Sequence, residues 1–473
     1  MTAKDSNHLP IAMGAAWRTL LVWGVAIALA GCAAKPINSS DGLELAVGLG
    51  PVLAPWWQRF NDPMLTELAS QALLANTDVG TAQAVLQQSR ALRDGKAAGL
   101  GPNISASASA QRSRSGGNDA IDSFQTGFDA SWEPDVFGGQ RSTLNAAEAD
   151  VQAAQTNVAY VKVSLAAEVA VTYIELRGLQ ARLAIAHSNL AAQRETLQIA
   201  RWRAQAGLAS SLDVEQAVAA SEQTSAQIPS LATSLAQDFS SLAVLTGQPQ
   251  ADLQGRLAAD ATRVGVIPQA PASLAVAFPA QTLRQRPDVR AAEYRVSAAL
   301  ARVAQADAAR YPSFQISGSL GLRSLTLGAL TNGASVAQSL LAGVSIPLFD
   351  GGAARAQVRA QEAALEQTRM AYQSTVLKAL KDVEDALVAL QGNTERLARL
   401  QAASSSAANA DLLARQRYAS GLIDFRTVLD TQRTLLSTQD GVETTRASLS
   451  ADHVRLYKAL GGGWTPEATT VTP

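Results

Sequence analysis

Two stretches decide the fold: "FDASWEPDVFGGQRSTL", from Phe128 to Leu144, and "LAGVSIPLFDGGAARAQV", from Leu341 to Val358. Each passes from alternating apolar residues through a proline and a Phe to a Gly-Gly pair, then enters a long alanine-rich run. Proline cannot donate to a strand ladder, and glycines let the backbone swivel into a new direction. Upstream, Phe124, Thr126, Phe128, Ala130 and Trp132 alternate with polar or small residues, as do Phe314, Ile316, Gly318, Leu320 and Leu322. Period two predicts strands with one apolar face. Downstream, apolar residues recur every seven: Leu144, Val151, Val158 and Leu165, then, after a four-residue step, Val169, Leu176, Leu183, Leu190 and Leu197. The second copy repeats this with Val358, Leu365 and Tyr372, then Val376, Val383, Leu390 and Leu397. Sustained heptads predict coiled-coil packing, with a stutter at the step. Each junction therefore reads as a strand becoming a very long helix.

The similarity extends well beyond the junctions. At an offset of about 214 residues, Gly207 in "RAQAGLASSLDVEQA" falls on Gly421 in "RYASGLIDFRTVLDTQ", Arg141 on Arg355, and Gly247 on Gly461. Upstream the offset shortens, placing "GPNISASASA" on "YPSFQISGSL". Two copies of one unit outrank any local motif as a guide to architecture. Polar or glycine-bearing turns, "SRSGGNDAID" and "TNGAS", make each half a strand hairpin, hence about four strands per chain. Small closed barrels begin near eight strands, so other chains must complete the wall. No proline lies between Pro134 and Pro229, or between Pro347 and Pro466. A helix of ~65 residues from Gly139 reaches about 100 Å, and the Gly207 and Gly421 turns send the chain back on a second helix.

The 473 residues carry a formal net charge of −1 and only 17% charged side chains, which argues against a nucleic-acid partner. Beyond the N-terminus no window approaches the ~20 apolar residues of a spanning helix, so a membrane crossing would have to be made by strands. The single Cys excludes an intrachain disulfide, and His187 and His453 are the only histidines past the N-terminal region, so no metal-ligand spacing arises. No nucleophile elbow, phosphate loop or dinucleotide fingerprint is found, so neither an enzyme nor a cofactor is expected.

The N-terminus reads as a targeting segment. Lys4 and Arg18 precede the apolar run "LLVWGVAIALAGC", and Leu29-Ala30-Gly31-Cys32 resembles a bacterial lipoprotein box. Such a box implies diacylglycerol and an N-acyl chain on Cys32, and Ala33 resembles the signal that sends such lipoproteins to the outer membrane. The organisation expected is a signal peptide (1–31), a lipidated segment (32–60), a first repeat (61–247), a Pro/Ala-rich equatorial linker (248–281), a second repeat (282–461) and a tail (462–473).

With "WWQRFNDPML" from Trp56, "RQRPDVRAAE" from Arg284, both junctions and both glycine turns, nearly the whole mature chain resembles the TolC-like outer-membrane efflux factors, in the lipoprotein branch serving tripartite drug efflux. That resemblance implies a mixed α and β fold. It also implies a homotrimer with a twelve-stranded outer-membrane barrel continued by a long α-helical periplasmic barrel. The implied partners are a periplasmic adaptor, an inner-membrane transporter and outer-membrane lipid, with passive conduction of drugs or other small toxic molecules. A type I protein secretion duct and a non-transporting structural trimeric lipoprotein are the alternatives. The tips around Gly207 and Gly421, with Arg203, Leu208, Arg417 and Leu422, match the family's adaptor-contacting motif. In "GLIDFRTVLDTQ", Asp430 matches a family gate position, whereas Arg426 and Thr427 depart from both known gate patterns; Arg426 and Asp430 are the expected periplasmic gate. Trp56 and Trp57 read as packing anchors. Asp288 reads as serving a helix start, with Arg290 and Glu293 expected to form ion pairs.

Overall fold

The computed structural model describes residues 55–462, apart from 115, 117, 118, 260 and 271–284. The signal segment and Cys32 lie outside the described residues.

After a 3₁₀ turn at Trp56–Phe60 come α1 (Pro63–Ala75) and α2 (Thr77–Ala98), then strands β1 (Asn103–Ser113) and β2 (Ile121–Trp132). Helices α3 (Gly139–Gln205), α4 (Ser211–Thr246) and α5 (Gln250–Ala259) follow. The second half runs α6 (Pro287–Ala308), β3 (Ser313–Ser324), β4 (Val336–Ser345), α7 (Ala353–Ala419) and α8 (Phe425–Ala459). Both long helices, α3 and α7, have 67 residues. They end one or two residues before the glycine turns that the sequence marks.

The strands form one antiparallel sheet in the order β1-β2-β3-β4. Its register sorts side chains by face. Ala106 pairs with Phe128 and Phe128 with Leu320, whereas Ser105 pairs with Asp129 and Asp129 with Ser319. One face thus collects Ile104, Phe124, Phe128, Ile316, Leu320, Leu322, Val336, Leu340 and Val344. The other collects Ser105, Ser107, Gln125, Asp129, Ser317, Ser319, Arg323 and Ser339. Ile121 and Leu341 are the exceptions on the polar face. No described residue forms a layer over the apolar face: Phe128 is 58% exposed and Leu340 83%. A large uncovered apolar surface demands a non-aqueous neighbour. On the polar face Gly127 stands opposite Gly321. The strands approach so closely there that a Cβ on Gly127 would lie 2.6 Å from the Gly321 Cα and 2.7 Å from the Leu320 carbonyl oxygen.

Helices continue the strands in the same lateral order. Helix α3 packs on α2 and α6, and α6 packs on α7, which repeats β1-β2-β3-β4 one layer down. Toward the tips, α3 packs between α4 and α8, and α8 against α7. The heptad seam of α3 is largely buried, including Leu165, Val169, Leu176, Leu190 and Leu197, but along α7 only Leu365 of the predicted seam is buried. The difference is position: α7 lies at a lateral edge, with neighbours on one side. Pro229 bounded the proline-free run, yet α4 passes through it. Its ring is on the exposed side, where a missing intrahelical donor leaves a carbonyl that water can reach.

The junctions are built by carboxylates. Asp135 accepts from the backbone N–H groups of Gln140 (3.0 Å) and Arg141 (2.8 Å), and the Arg141 guanidinium returns to it. Asp350 accepts from the N–H of Gly352 and of Ala354, each at 2.8 Å. Gly138 (φ +77°) and Gly352 (φ +90°) then take left-handed conformations as the helices start. Burial pushes the Asp135 carboxyl up, but the N–H groups of Arg141 and Gln140 and the Arg141 charge outweigh it, so its pKa falls below the usual range. A depressed carboxyl stabilises the fold above its unfolded pKa, and that contribution fades as pH falls through the folded value. Asp135→Ala is expected to cost about 1 kcal/mol, the usual worth of a helix N-cap. The check is faster amide exchange confined to residues 139–142; exchange unchanged there would count against the cap.

The main apolar core gathers where α1 crosses α3. Trp56, Trp57 and Phe60 are buried there with Leu65, Leu68, Val169, Ile174 and Leu176, and Trp56 stacks on Tyr457 at 5.2 Å. The two tryptophans are packing residues, as their sequence context suggests. Beneath them Asp62 accepts from the Leu65 N–H and from the Tyr173 hydroxyl, which in turn accepts from Arg177 Nε at 3.0 Å. Burial, then the Asp62 charge, pushes the Tyr173 phenol up to about 12, so it stays a donor at any physiological pH.

Candidate functional site

Both long hairpins end in the same backbone device. The Leu208 N–H donates to the Arg203 carbonyl (2.7 Å) and the Gly207 N–H to the Ala204 carbonyl (3.0 Å). At the second tip, Leu422 donates to Arg417 (2.9 Å) and Gly421 to Tyr418 (3.0 Å). These paired bonds are the Schellman closure, which needs a left-handed residue at the glycine; φ is +73° at Gly207 and +72° at Gly421. The closure accounts for glycine in each Arg-x-x-x-Gly-Leu motif. It does not account for the leucines, because Leu208 and Leu422 are each 73% exposed instead of folding back on the helix.

The two arginines of the motif behave differently. Arg203 is half-buried: it donates to the Tyr418 carbonyl at 2.9 Å, and its guanidinium lies 4.5 Å from the centre of the Tyr418 ring. Tyr418 in turn packs on Phe425, which is buried with Leu197, Ala200, Ala217 and Leu429. Arg203 therefore ties one tip to the other, whereas Arg417 is exposed. Besides touching each other, Tyr418 and Phe425 meet residues of the first hairpin, so their role carries no signal at the level of one hairpin.

Helix α8 starts at Asp424, whose carboxylate accepts from the Thr427 N–H at 3.0 Å. The Thr427 hydroxyl, then its N–H, holds the Asp424 carboxyl below its ordinary pKa. One turn on, Arg426 and Asp430 share a helix face: Arg426 Nε lies 3.9 Å from Asp430 Oδ2. Asp430 also meets Arg433 Nη1 at 3.5 Å, a partner absent from the expected pair though legible at spacing three. The side chains of Arg426, Asp430 and Arg433 are 80%, 57% and 68% exposed. The chain thus presents an open cluster of two cations and one anion close to the second tip. Among the described residues no cluster of His, Cys, Asp or Glu is able to hold a metal ion.

"RPDVRAAE" opens α6, and beside it lies an ion-pair centre that the expectation did not name. Arg286 is the centre, meeting Asp288 at 2.8 Å and Asp382 of α7 at 3.1 Å. Arg290 donates to the Tyr294 hydroxyl. Asp288 does serve the helix start, accepting from the Val289 N–H at 3.0 Å.

An open sheet with one lipid-compatible face, each strand linked to a helix, is the wall of a strand-built membrane protein. The pattern of the outer membrane efflux protein family matches residues 68–248 and 278–462, and the chain belongs to that family. It is 31% identical over 469 residues to the pyoverdine export outer membrane protein OpmQ of Pseudomonas aeruginosa, covering 94% of this chain and 97% of that one. It is 32% identical over 416 residues to the toluene efflux pump outer membrane protein TtgF of Pseudomonas putida, covering 86% and 85%. Among solved structures, the outer-membrane channel OprN superposes with a TM-score of 0.81 at 33% identity, over 88% of this chain and 94% of that one. The open state of the Neisseria gonorrhoeae outer-membrane channel MtrE gives 0.74 at 27%, over 85% and 89%. The protein is thus the outer-membrane channel component of an efflux pump, and not an enzyme.

Proposed function

We propose that three copies of this chain close a twelve-stranded barrel and a helical tunnel through which an efflux pump discharges small toxic molecules. The observation that carries the reading is the four-stranded sheet itself. It has an apolar face, a polar face and two unpaired edges, β1 and β4. In lipid each unsatisfied backbone group costs several kcal/mol, so the edges must be paired. Because β1 and β4 run in opposite directions, β4 of one copy can take β1 of the next in the same antiparallel sense. The polar face, with Ser107, Asp129 and Ser319, then lines the lumen. The half-buried seam of α7 acquires its missing neighbour in the same closure. The corresponding elements of the two halves, both 67-residue helices included, support an internal duplication.

In this assembly the tips face a periplasmic adaptor coupled to an inner-membrane transporter. Leu208 and Leu422 supply exposed apolar contacts, Gly207 and Gly421 the turns, and Arg417 a free cation, while Arg203 braces the tips from within. Arg426 and Asp430 belong to the periplasmic gate. Light scattering on detergent-extracted protein tests the assembly: a trimer is expected, and a monomer with full secondary structure would contradict the closed wall.

The proposal includes a lipid anchor on Cys32, at the segment boundary between residues 1–31 and 32–60, with the barrel embedded in the outer membrane. Each buried CH₂ is worth ~0.8 kcal/mol, so several acyl chains hold firmly. Cys32→Ser is expected to abolish fatty-acid labelling while leaving trimers in the membrane. Labelling that persists in the variant rules the anchor out.

A further inference from the structure

Two staves of each chain are single unbroken helices, α3 and α7; the other two are made of shorter helices meeting mid-wall. Helix α4 ends where α2 begins, and α8 ends where α6 begins. In the first meeting, Asn76 is the hinge between α1 and α2 and is only 6% exposed. Its Oδ1 accepts from the N–H of Asp78 at 2.8 Å and of Val79 at 3.4 Å, which caps α2. Its Nδ2 donates to the Leu245 carbonyl, in the last turn of α4, at 3.0 Å. In the second meeting, Arg286 immediately precedes α6 and is 7% exposed. It donates to the Ala459 carbonyl, the last of α8, at 2.9 Å, and holds Asp288, whose carboxylate takes the Val289 N–H. The glycines that close α4 and α8 sit against the same places: Gly247 against Ala75, and Gly461 against Arg286 and Pro287. Asn76 and Arg286 are matched by the shorter offset that aligns "GPNISASASA" with "YPSFQISGSL".

We infer that Asn76 and Arg286 are equivalent positioning residues, each splicing the carbonyl end of one helix to the N–H end of the next so that a two-helix stave stays continuous. A helix end carries partial negative charge at its carbonyls and partial positive charge at its N–H groups. A side chain bonding both ends at once aligns the two dipoles head to tail and leaves neither set orphaned. Asn76 does both jobs with one amide. The second copy divides them between the Arg286 guanidinium and the Asp288 carboxylate, and adds a staple to Asp382 on α7. This goes beyond the channel reading, because it concerns how the wall of one chain is joined, and it stands whether or not Arg426 and Asp430 form the gate. The splice at Arg286 matters for function because α8 carries those residues at its far end.

Asn76→Asp separates a splice from a mere cap. The carboxylate still accepts from Asp78 and Val79, but it cannot donate to Leu245 and sets a negative charge against the carbonyl end of α4. Asn76→Ala loses both roles. In the detergent-extracted full chain, amide exchange over residues 243–247 is expected to rise about tenfold in both variants through the loss of one buried hydrogen bond, joined in Asn76→Asp by repulsion. Exchange over residues 77–80 is expected to rise only in Asn76→Ala. If Asn76→Asp exchanges like the wild type at 243–247, Asn76 is an N-cap alone and the inference is overturned. At the second splice, Arg286→Lys keeps the charge but loses the planar fork, and about tenfold faster exchange is expected at 457–460. Asp382→Asn weakens the staple to α7, where Arg286 also reaches the Ala379 carbonyl at 3.4 Å, without touching the bond to Ala459, and is expected to leave 457–460 at the wild-type rate. Wild-type exchange in Arg286→Lys, or equal acceleration in Asp382→Asn, would overturn the assignment of Arg286.

Discussion

Gly127→Val is expected to leave no stable trimer in the outer membrane. A Cβ at this position meets the Gly321 Cα at 2.6 Å and the Leu320 carbonyl oxygen at 2.7 Å, and one at Gly321 meets the Thr126 carbonyl oxygen at 2.5 Å. These are backbone atoms of the paired strand, so no rotamer change relieves the contact; β2 must move off β3. In water a broken ladder is re-hydrated, but in hydrocarbon each orphaned group costs several kcal/mol. Several such groups exceed the 5–15 kcal/mol by which proteins are ordinarily stable. The control is Gly343→Ala in β4, where an added Cβ meets nothing within 4 Å. Both variants are to be extracted in mild detergent and sized by light scattering. Trimer is expected for Gly343→Ala, and aggregate or no recoverable protein for Gly127→Val. A full yield of trimeric Gly127→Val would show that β2 and β3 have room the observed register denies them.

The features readable from sequence are those with a local cause. Alternation, proline and paired glycines at Pro134–Gly139 and Pro347–Gly352 locate the change from strand to helix because backbone chemistry alone enforces it. The heptads likewise give α3 and α7, and glycine in a left-handed turn gives both tips. Other features depend on which elements meet. The carboxylates that start the long helices, Asp135 and Asp350, differ by two places relative to the glycine pairs, so superposing the two halves does not align them. Arg286 is an ion-pair centre because it abuts the end of α8, some 170 residues away in the chain. Arg203 and Arg417 look alike in their motifs, yet Tyr418 lies under only one of them. Arg433 was within reach of a helical-spacing argument from Asp430, and its place in the cluster means that Asp430 serves two cations.

That sharing sets the expected outcome at the proposed gate. Asp430 faces Arg426 at 3.9 Å and Arg433 at 3.5 Å, so this trio carries a net charge of +1 in each chain, beside the Asp424 carboxylate at the helix start. Arg426→Glu reverses one cation, places like charges at spacing four, and changes the cluster to −1. Asp430→Ala removes the shared anion and leaves both arginines unpaired, at +2. Around a threefold axis these changes are tripled. One unit charge 4 Å from a passing ion is worth about 1 kcal/mol even at the dielectric constant of bulk water. The ratio of cation to anion permeability should therefore rise by about tenfold in Arg426→Glu and fall by a comparable factor in Asp430→Ala. Arg426→Glu should also change how often the pore opens, because it breaks the Arg426–Asp430 pair that holds these side chains along the α8 face. Reversal potentials and single-channel currents in planar bilayers under a salt gradient measure both effects. Exposed charges are screened over about 8 Å at physiological ionic strength and about 3 Å at 1 M, so the shifts should shrink in concentrated salt. Selectivity moving the same way in both variants would contradict a charge ring, and unchanged currents in both would place the constriction elsewhere along the tunnel.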